Sequence, residues 1–67
     1  MRFITYQDIK ALMDAENTRI ARAFEMKELY GMKVEEIALE LKVSKPRIYQ
    51  FISRARAIAQ QYRADNQ

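Results

Sequence analysis

Apolar residues recur at helical spacing in two short segments in the second half of the chain. Those of the first segment lie three or four residues apart: Val34, Ile37, Ala38 and Leu41. This spacing predicts a helix with one apolar stripe. Ser44 is a residue type that caps helices, and Pro46 fits the first turn of a second helix, where its missing N–H costs nothing. Two helices this short bury their stripes only against each other and a third element, so we predict a helix-turn-helix over about residues 34–53.

The second helix of this motif is expected to run from Lys45 to about Tyr62 and to have two contrasting faces. Its apolar stripe consists of Ile48, Phe51, Ile52, Ala55, Ile58, Ala59 and Tyr62. The opposite, uncharged face consists of Pro46, Tyr49, Gln50, Ser53, Ala57 and Gln60. Bases occupy the two edges, Arg47 and Arg54 on one and Lys45, Arg56 and Arg63 on the other. This layout suits a DNA major groove, where small and amide side chains reach base edges and cations meet phosphates.

The charges of the chain are unevenly distributed. The net charge is +3, but residues 42–64 carry six bases and no acid, whereas residues 1–41 carry six bases and eight acids. A solvated amphipathic helix is the alternative interpretation, although such a helix usually mixes charges of both signs. A basic C-terminal third on a slightly acidic body would orient the protein toward a polyanion with the second helix leading.

Two further helices are expected in the first half of the chain. One spans about Tyr6–Glu16, with Thr5 and Asp8 as a capping box at its start, and the other spans about Thr18–Leu29. Asn17 favours a break between them, and one continuous helix is the alternative. The only glycine, at position 31, is expected to end the second helix in a left-handed conformation. Residues 1–4 are expected to be extended, and residues 64–67 to be frayed.

The fold class predicted from these segments is all-α: a compact helical domain of three to four helices, spanning residues 1–67, that contains a helix-turn-helix. Besides Tyr62 and the other residues of the two stripes, several side chains are expected in its core: Met13, Met26, Leu29, Tyr30 and Met32. Tyr49 is expected on the outward face beside Gln50, where its ring could touch a thymine methyl or a sugar. Packing of this ring on the arginine stems is the alternative.

The composition argues against an enzyme. The chain has no cysteine and no histidine, which removes the usual hydrolytic triads and zinc sites. One glycine rules out a glycine-rich phosphate loop, so neither a metal nor a cofactor is expected. No apolar run approaches the length of a membrane span, and no signal peptide is visible. These observations predict a cytoplasmic protein.

Residues 28–57, ELYGMKVEEIALELKVSKPRIYQFISRARA, resemble the C-terminal helix-turn-helix of the sigma-70 family, which reads the −35 promoter element. They are also similar to small phage and plasmid regulators built on this unit. The features that match the family are Tyr30, Gly31, Glu36, Ile37, Ala38, Leu41, Val43, Ser44, Arg47, Ile48, Gln50, Ile52, Arg54 and Ala55. The resemblance implies that Ser44, Lys45, Arg47, Gln50 and Arg54 lie at or near DNA. Lys42 departs from the family, which usually has glycine in the turn.

The function predicted is sequence-specific binding of double-stranded DNA by a transcriptional regulator that inserts the helix from about 45 to 62 into the major groove. The side chains expected to contact DNA are Lys42, Ser44, Lys45, Pro46, Arg47, Tyr49, Gln50, Ser53, Arg54 and Arg56. One alternative is a sigma-like module that binds RNA polymerase or a sigma factor, with Glu35, Glu36 and Glu40 facing a basic partner. Another is a DNA-binding subunit of a recombination or packaging machine.

The sequence also leaves open that the protein forms a homodimer. One helix-turn-helix reads few base pairs, so tight binding requires a second copy or a partner. The first helix, with Ile9, Leu12 and Met13, either pairs with a second copy or packs onto the core of its own chain.

Overall fold

Four helices make up the computed structural model of the chain, which describes residues 6–65. They are α1 (Tyr6–Glu16), α2 (Thr18–Glu28), α3 (Val34–Leu41) and α4 (Lys45–Asp65). The described range contains no strand, which confirms the all-α prediction. The expected extended start and the capping box of Thr5 lie outside the described residues. The prediction for the C-terminal helix was too short, because α4 continues through residues 64 and 65 instead of fraying there.

The break between α1 and α2 occurs at Asn17 and excludes one continuous helix. The backbone of Asn17 is extended, with φ −168° and ψ 122°. Its side-chain oxygen accepts a hydrogen bond of 2.9 Å from the backbone N–H of Arg19. An asparagine in this position satisfies one of the free N–H groups at the start of α2. The residue type at position 17 thus starts a second helix immediately after the first.

The chain reverses between α2 and α3 at Gly31, whose φ of 63° is left-handed as predicted. The backbone N–H of Met32 donates to the carbonyl oxygen of Met26 over 3.0 Å and closes the reversal. At the start of α3, the carboxylate of Glu36 accepts from the backbone N–H of Lys33 at 3.0 Å. These local bonds bring α3 back against the body of the molecule.

The helices α2 and α4 form the centre of the fold, since each contacts the other three helices. Within the described residues α1 and α3 flank this pair without contacting each other. The core receives side chains from every helix: Ile9, Met13, Ile20, Ala21, Ala23, Met26, Ile37, Ile48, Phe51, Ile52, Ala55 and Ala59 are buried. Met13, Ile37 and Ile48 are completely enclosed. The apolar stripe predicted for α4 therefore holds the second helix of the motif onto the rest of the molecule.

Two side chains expected in the core are exposed. Tyr30 is 65% exposed, and its hydroxyl donates a hydrogen bond of 2.9 Å to the carboxylate of Glu25. Leu29 is 56% exposed. Both side chains are exposed because α2 ends at Glu28, and beyond this residue the backbone no longer follows the helix that would place them on its buried face. Of the other expected core residues, Met13 and Met26 are buried, whereas Met32 and Tyr62 are half-buried at its margin.

The apolar face of α1 packs mainly onto the core of its own chain. Ile9 and Met13 are 4% and 0% exposed. Leu12, the third residue of this face, remains 44% exposed. The first helix is therefore an integral part of the core, and of Ile9, Leu12 and Met13 only Leu12 is accessible to another molecule.

Candidate nucleic-acid interface

The turn between α3 and α4 depends on two residues. Lys42 adopts a left-handed conformation, with φ 58° and ψ 44°, at the position where the resembling family usually has glycine. The backbone N–H of Val43 then donates to the carbonyl of Ala38 at 3.1 Å. Ser44 caps α4, because its Oγ accepts from the backbone N–H of Arg47 at 3.4 Å. Pro46 lies in the first turn of α4, as predicted.

All ten side chains that the sequence predicts to contact DNA are exposed in the structure. They are Lys42, Ser44, Lys45, Pro46, Arg47, Tyr49, Gln50, Ser53, Arg54 and Arg56. Four of them, together with Ala57, line one open, shallow surface of α4: Tyr49, Gln50, Ser53 and Arg54. We call these five residues the recognition surface. It contains amide, hydroxyl and phenol groups, one guanidinium and no carboxylate, which are groups able to bond to base edges.

Arg47 lies at the edge of α4 with its guanidinium 5.1 Å from the centre of the Phe51 ring. An arginine over an aromatic ring makes a favourable cation–π contact. Within the described residues, no carboxylate pairs with Arg47. Its charge is therefore available to a phosphate.

Arg54 is held by a carboxylate from the first helix. Its Nε and Nη2 each donate to Glu16 over 2.7 Å, which makes a two-bond ion pair between α1 and α4. The hydrogen bond from Arg54 lowers the pKa of Glu16, and the same bond raises the pKa of Arg54. Both side chains remain solvent-accessible, so the pair orients Arg54 more than it stabilises the fold.

Two further cations of α4 face carboxylates of other helices. Lys45 Nζ lies 3.5 Å from Glu35 of α3, and Arg56 Nη2 lies 3.5 Å from Glu28 of α2. The pKa of Glu35 is lowered, first by a hydrogen bond from its own backbone N–H and then by the charge of Lys45. The sequence predicted that the two edges of α4 carry only bases, and these ion pairs correct that prediction because carboxylates of α2 and α3 lie beside them.

The acidic partners of Arg54 and Arg56 were not predicted from the sequence. Glu16 and Glu28 lie 38 and 28 residues away from the arginines they contact. No local pattern connects residues so far apart in the chain, so the sequence alone did not pair either arginine with its carboxylate. Within the described residues, no group of acids, histidines or cysteines could hold a metal ion. No helix in that part of the chain is long and apolar enough to cross a membrane.

Comparison with known protein families gives one match. The family model described as "Sigma-70, region 4" matches residues 17–58, which is more than half of the chain. The matched range begins at the cap of α2, so it includes α2, α3, the turn and the recognition surface but not α1 or Glu16. No curated protein and no solved structure matches the chain significantly.

Proposed function

The chain belongs to the sigma-70 region 4 family of DNA-binding helix-turn-helix domains, and from this premise we propose that it is a sequence-specific transcriptional regulator. In this proposal α4 is the recognition helix and lies in the major groove of double-stranded DNA. The family is not a catalytic one. The protein would act by occupying a promoter or operator.

The observation that carries the proposal is the division of α4 into a buried apolar face and an exposed recognition surface. Ile48 and Phe51 anchor the helix in the core, while Gln50 and Ser53 point outward from the same two turns. A major groove admits an α-helix whose outward amide and hydroxyl groups then reach base edges. Tyr49, which is 60% exposed, adds an apolar ring suited to a thymine methyl.

The residues around this surface would position the helix on the DNA backbone. Lys42 and Arg47 are exposed cations without a carboxylate partner in the described part of the chain. Lys45 and Arg56 are also exposed and would exchange a carboxylate 3.5 Å away for a phosphate. Ser44 and Pro46 lie at the start of α4, where backbone N–H groups favour anions. Contacts of this kind set orientation and salt dependence without reading sequence.

The test compares two arginine variants in fluorescence anisotropy titrations with labelled duplex DNA. Pooled random duplexes are bound first, and iterated selection then identifies the preferred motif. Arg47→Ala should weaken binding about tenfold and make the slope of log K against log[salt] shallower by about 0.9, because one phosphate contact is lost. Arg22→Ala is the control, since Arg22 is also exposed but lies on α2 beside Lys10 and Glu25.

Three results would count against the proposal. Equal losses in Arg47→Ala and Arg22→Ala would show that α4 is not the DNA-contacting helix. Salt-sensitive binding without an enriched motif would show that the protein binds DNA without sequence specificity. Absence of binding at low salt would remove the regulator function altogether.

A second candidate function is docking onto RNA polymerase or a sigma factor through the outward side of α3. Leu39 is 81% exposed there, with Glu36 and Glu40 as exposed neighbours. An apolar side chain among carboxylates fits a basic partner with an apolar contact. Nuclease-treated pull-downs should recover polymerase subunits with the parent protein and lose them with Leu39→Ala. Recovery of the same subunits by both proteins would exclude this surface.

A homodimer on a two-fold site would supply the affinity that a single helix-turn-helix lacks. Leu12 is 44% exposed on the apolar face of α1, and a second copy could contact it. Sedimentation of the protein alone and with duplex DNA tests this arrangement. A motif of two half-sites about one helical turn apart is the matching result in the selection experiment.

A further inference from the structure

Arg54 occupies an unusual position, since it belongs to the recognition surface and also forms an ion pair with a carboxylate of another helix. It lines the shallow surface together with Gln50 and Ser53. Its Nε and Nη2 donate to the two carboxylate oxygens of Glu16 at 2.7 Å. One side of the planar guanidinium is thus fixed to α1.

The other side of the guanidinium remains free within the described part of the chain. A guanidinium has five N–H donors, so the pair with Glu16 leaves both N–H groups of Nη1 and the second N–H of Nη2. These donors form the edge of the guanidinium that Glu16 does not contact. Two parallel N–H donors on such an edge match the O6 and N7 acceptors that guanine presents in the major groove.

The ion pair with Glu16 also changes the conformational entropy that the Arg54 side chain loses when it binds DNA. A free arginine side chain loses rotamer freedom when it contacts a base, which reduces the net affinity of that contact. A carboxylate that already holds two of its nitrogens restricts the orientation before DNA arrives. The Arg54 side chain is still 56% exposed, so the held guanidinium is accessible.

We propose that Glu16 is a specificity-determining residue that positions the guanidinium of Arg54 to read one guanine. The inference rests on the proposed function, because it assumes that the recognition surface lies in the major groove. Glu16 acts through Arg54 and does not itself touch the base. It lies outside residues 17–58, so α1 adds to this chain a feature that the matched range does not contain.

The other two ion pairs of α4 provide the comparison. Arg56 and Glu28 share a single longer contact of 3.5 Å, and Arg56 is not part of the recognition surface. Glu28→Gln removes the same single negative charge from beside an arginine of α4 as Glu16→Gln does. It leaves the orientation of Arg54 untouched.

The experiment measures a ratio of affinities within each protein preparation. The duplexes are the selected motif and a set in which each guanine of the motif is replaced in turn. The proteins are the full chain with its parent sequence, Glu16→Gln, Glu28→Gln, Arg54→Lys and the double variant Glu16→Gln/Arg54→Lys. Because both affinities of a ratio come from one preparation, a lower folded fraction cancels, and circular dichroism checks that each variant remains helical.

The parent protein should prefer one guanine by about tenfold, the lower part of the range for a bidentate contact. Arg54→Lys should abolish this preference while keeping the charge and the salt slope. Glu16→Gln should lower it severalfold although overall affinity rises, whereas Glu28→Gln should raise overall affinity and leave the preference unchanged. The double variant should match Arg54→Lys, since Glu16 acts only through Arg54.

Two outcomes overturn the inference while the proposed function stands. One is a guanine preference that survives Glu16→Gln at its full size. The other is an equal loss of preference in Glu16→Gln and Glu28→Gln, which would make the effect one of net charge. A parent protein that binds no duplex DNA at low salt overturns the proposed function, and this result is distinct from both.

Discussion

Lys42 allows the sharpest test of the turn that joins the two helices of the motif. Its φ of 58° and ψ of 44° lie almost at the centre of the left-handed region. A residue with a β-carbon pays about 1–2 kcal/mol for this conformation, because the β-carbon approaches the next carbonyl oxygen. Substituting alanine keeps that cost, and substituting glycine removes it.

The free energies of unfolding of Lys42→Gly and Lys42→Ala should therefore differ in favour of glycine. Glycine relieves strain of about 1–2 kcal/mol but loses about 0.4–1 kcal/mol through the greater freedom of the unfolded chain. The expected difference lies between about 0 and 1.6 kcal/mol, with a central value of about 0.8 kcal/mol. Both variants remove the same charge, so electrostatic changes cancel in the comparison.

Gln60 serves as the matched position, since it is exposed within α4. There Gln60→Gly should be less stable than Gln60→Ala by about 1 kcal/mol, as in any exposed helix interior. Urea unfolding followed by far-ultraviolet circular dichroism measures all four variants, and 1 kcal/mol corresponds to about 4–8 °C in Tm for a domain of this size. If glycine is the less stable choice at both positions, Lys42 is not left-handed in solution and the geometry of the turn is wrong.

Two further predictions concern the stability of the folded chain. Gly31→Ala should lower the free energy of unfolding by about 1 kcal/mol, since a β-carbon at φ 63° is strained even though no atom lies within 4 Å of it; an unchanged urea midpoint would contradict the left-handed reversal. The pKa values of Glu16, Glu25 and Glu35 are lowered in the folded state from the ordinary 4.5, by bonds to Arg54, to Lys10 and to the backbone N–H of Glu35 itself. Carboxylates that bind protons less readily when folded add stability that is present above about pH 4.5 and is lost as the pH falls through the lowered values. Tm should therefore drop on acidification from about pH 5, less steeply in Glu16→Gln, and a Tm that rises over this range would contradict the assigned ion pairs.

Local features of this fold were predictable because local chemistry dictates them. Asn17 caps the helix that begins at the next residue, and its side chain reaches a donor only two positions away. Gly31 is left-handed because glycine adopts that conformation without a steric cost. The exposure of Gln50 and the burial of Ile48 follow from helical periodicity alone.

The end of α2 was less predictable, and the environment of Tyr30 was misjudged for this reason. The apolar pattern continues through Leu29 and Tyr30, but the helix stops at Glu28. Boundaries depend on competing hydrogen bonds, and here the N–H groups of Leu29 and Tyr30 both point to the carbonyl of Glu25. Once the backbone turns, periodicity no longer tells which side a residue faces.

By itself the sequence determined an all-α fold of three to four helices, a helix-turn-helix with an exposed and largely uncharged outer face, and a resemblance to a DNA-binding family that the family match then confirmed. Only the tertiary structure decided which cations of α4 are paired with carboxylates of other helices. Glu16 meets Arg54 because α1, with Ile9 and Met13 buried in the common core, packs against α4, and this packing sets which side chains lie within 3 Å of each other. Periodicity assigns a residue to a face of its own helix, whereas the crossing of two helices, set by side-chain packing across the whole core, assigns it a partner.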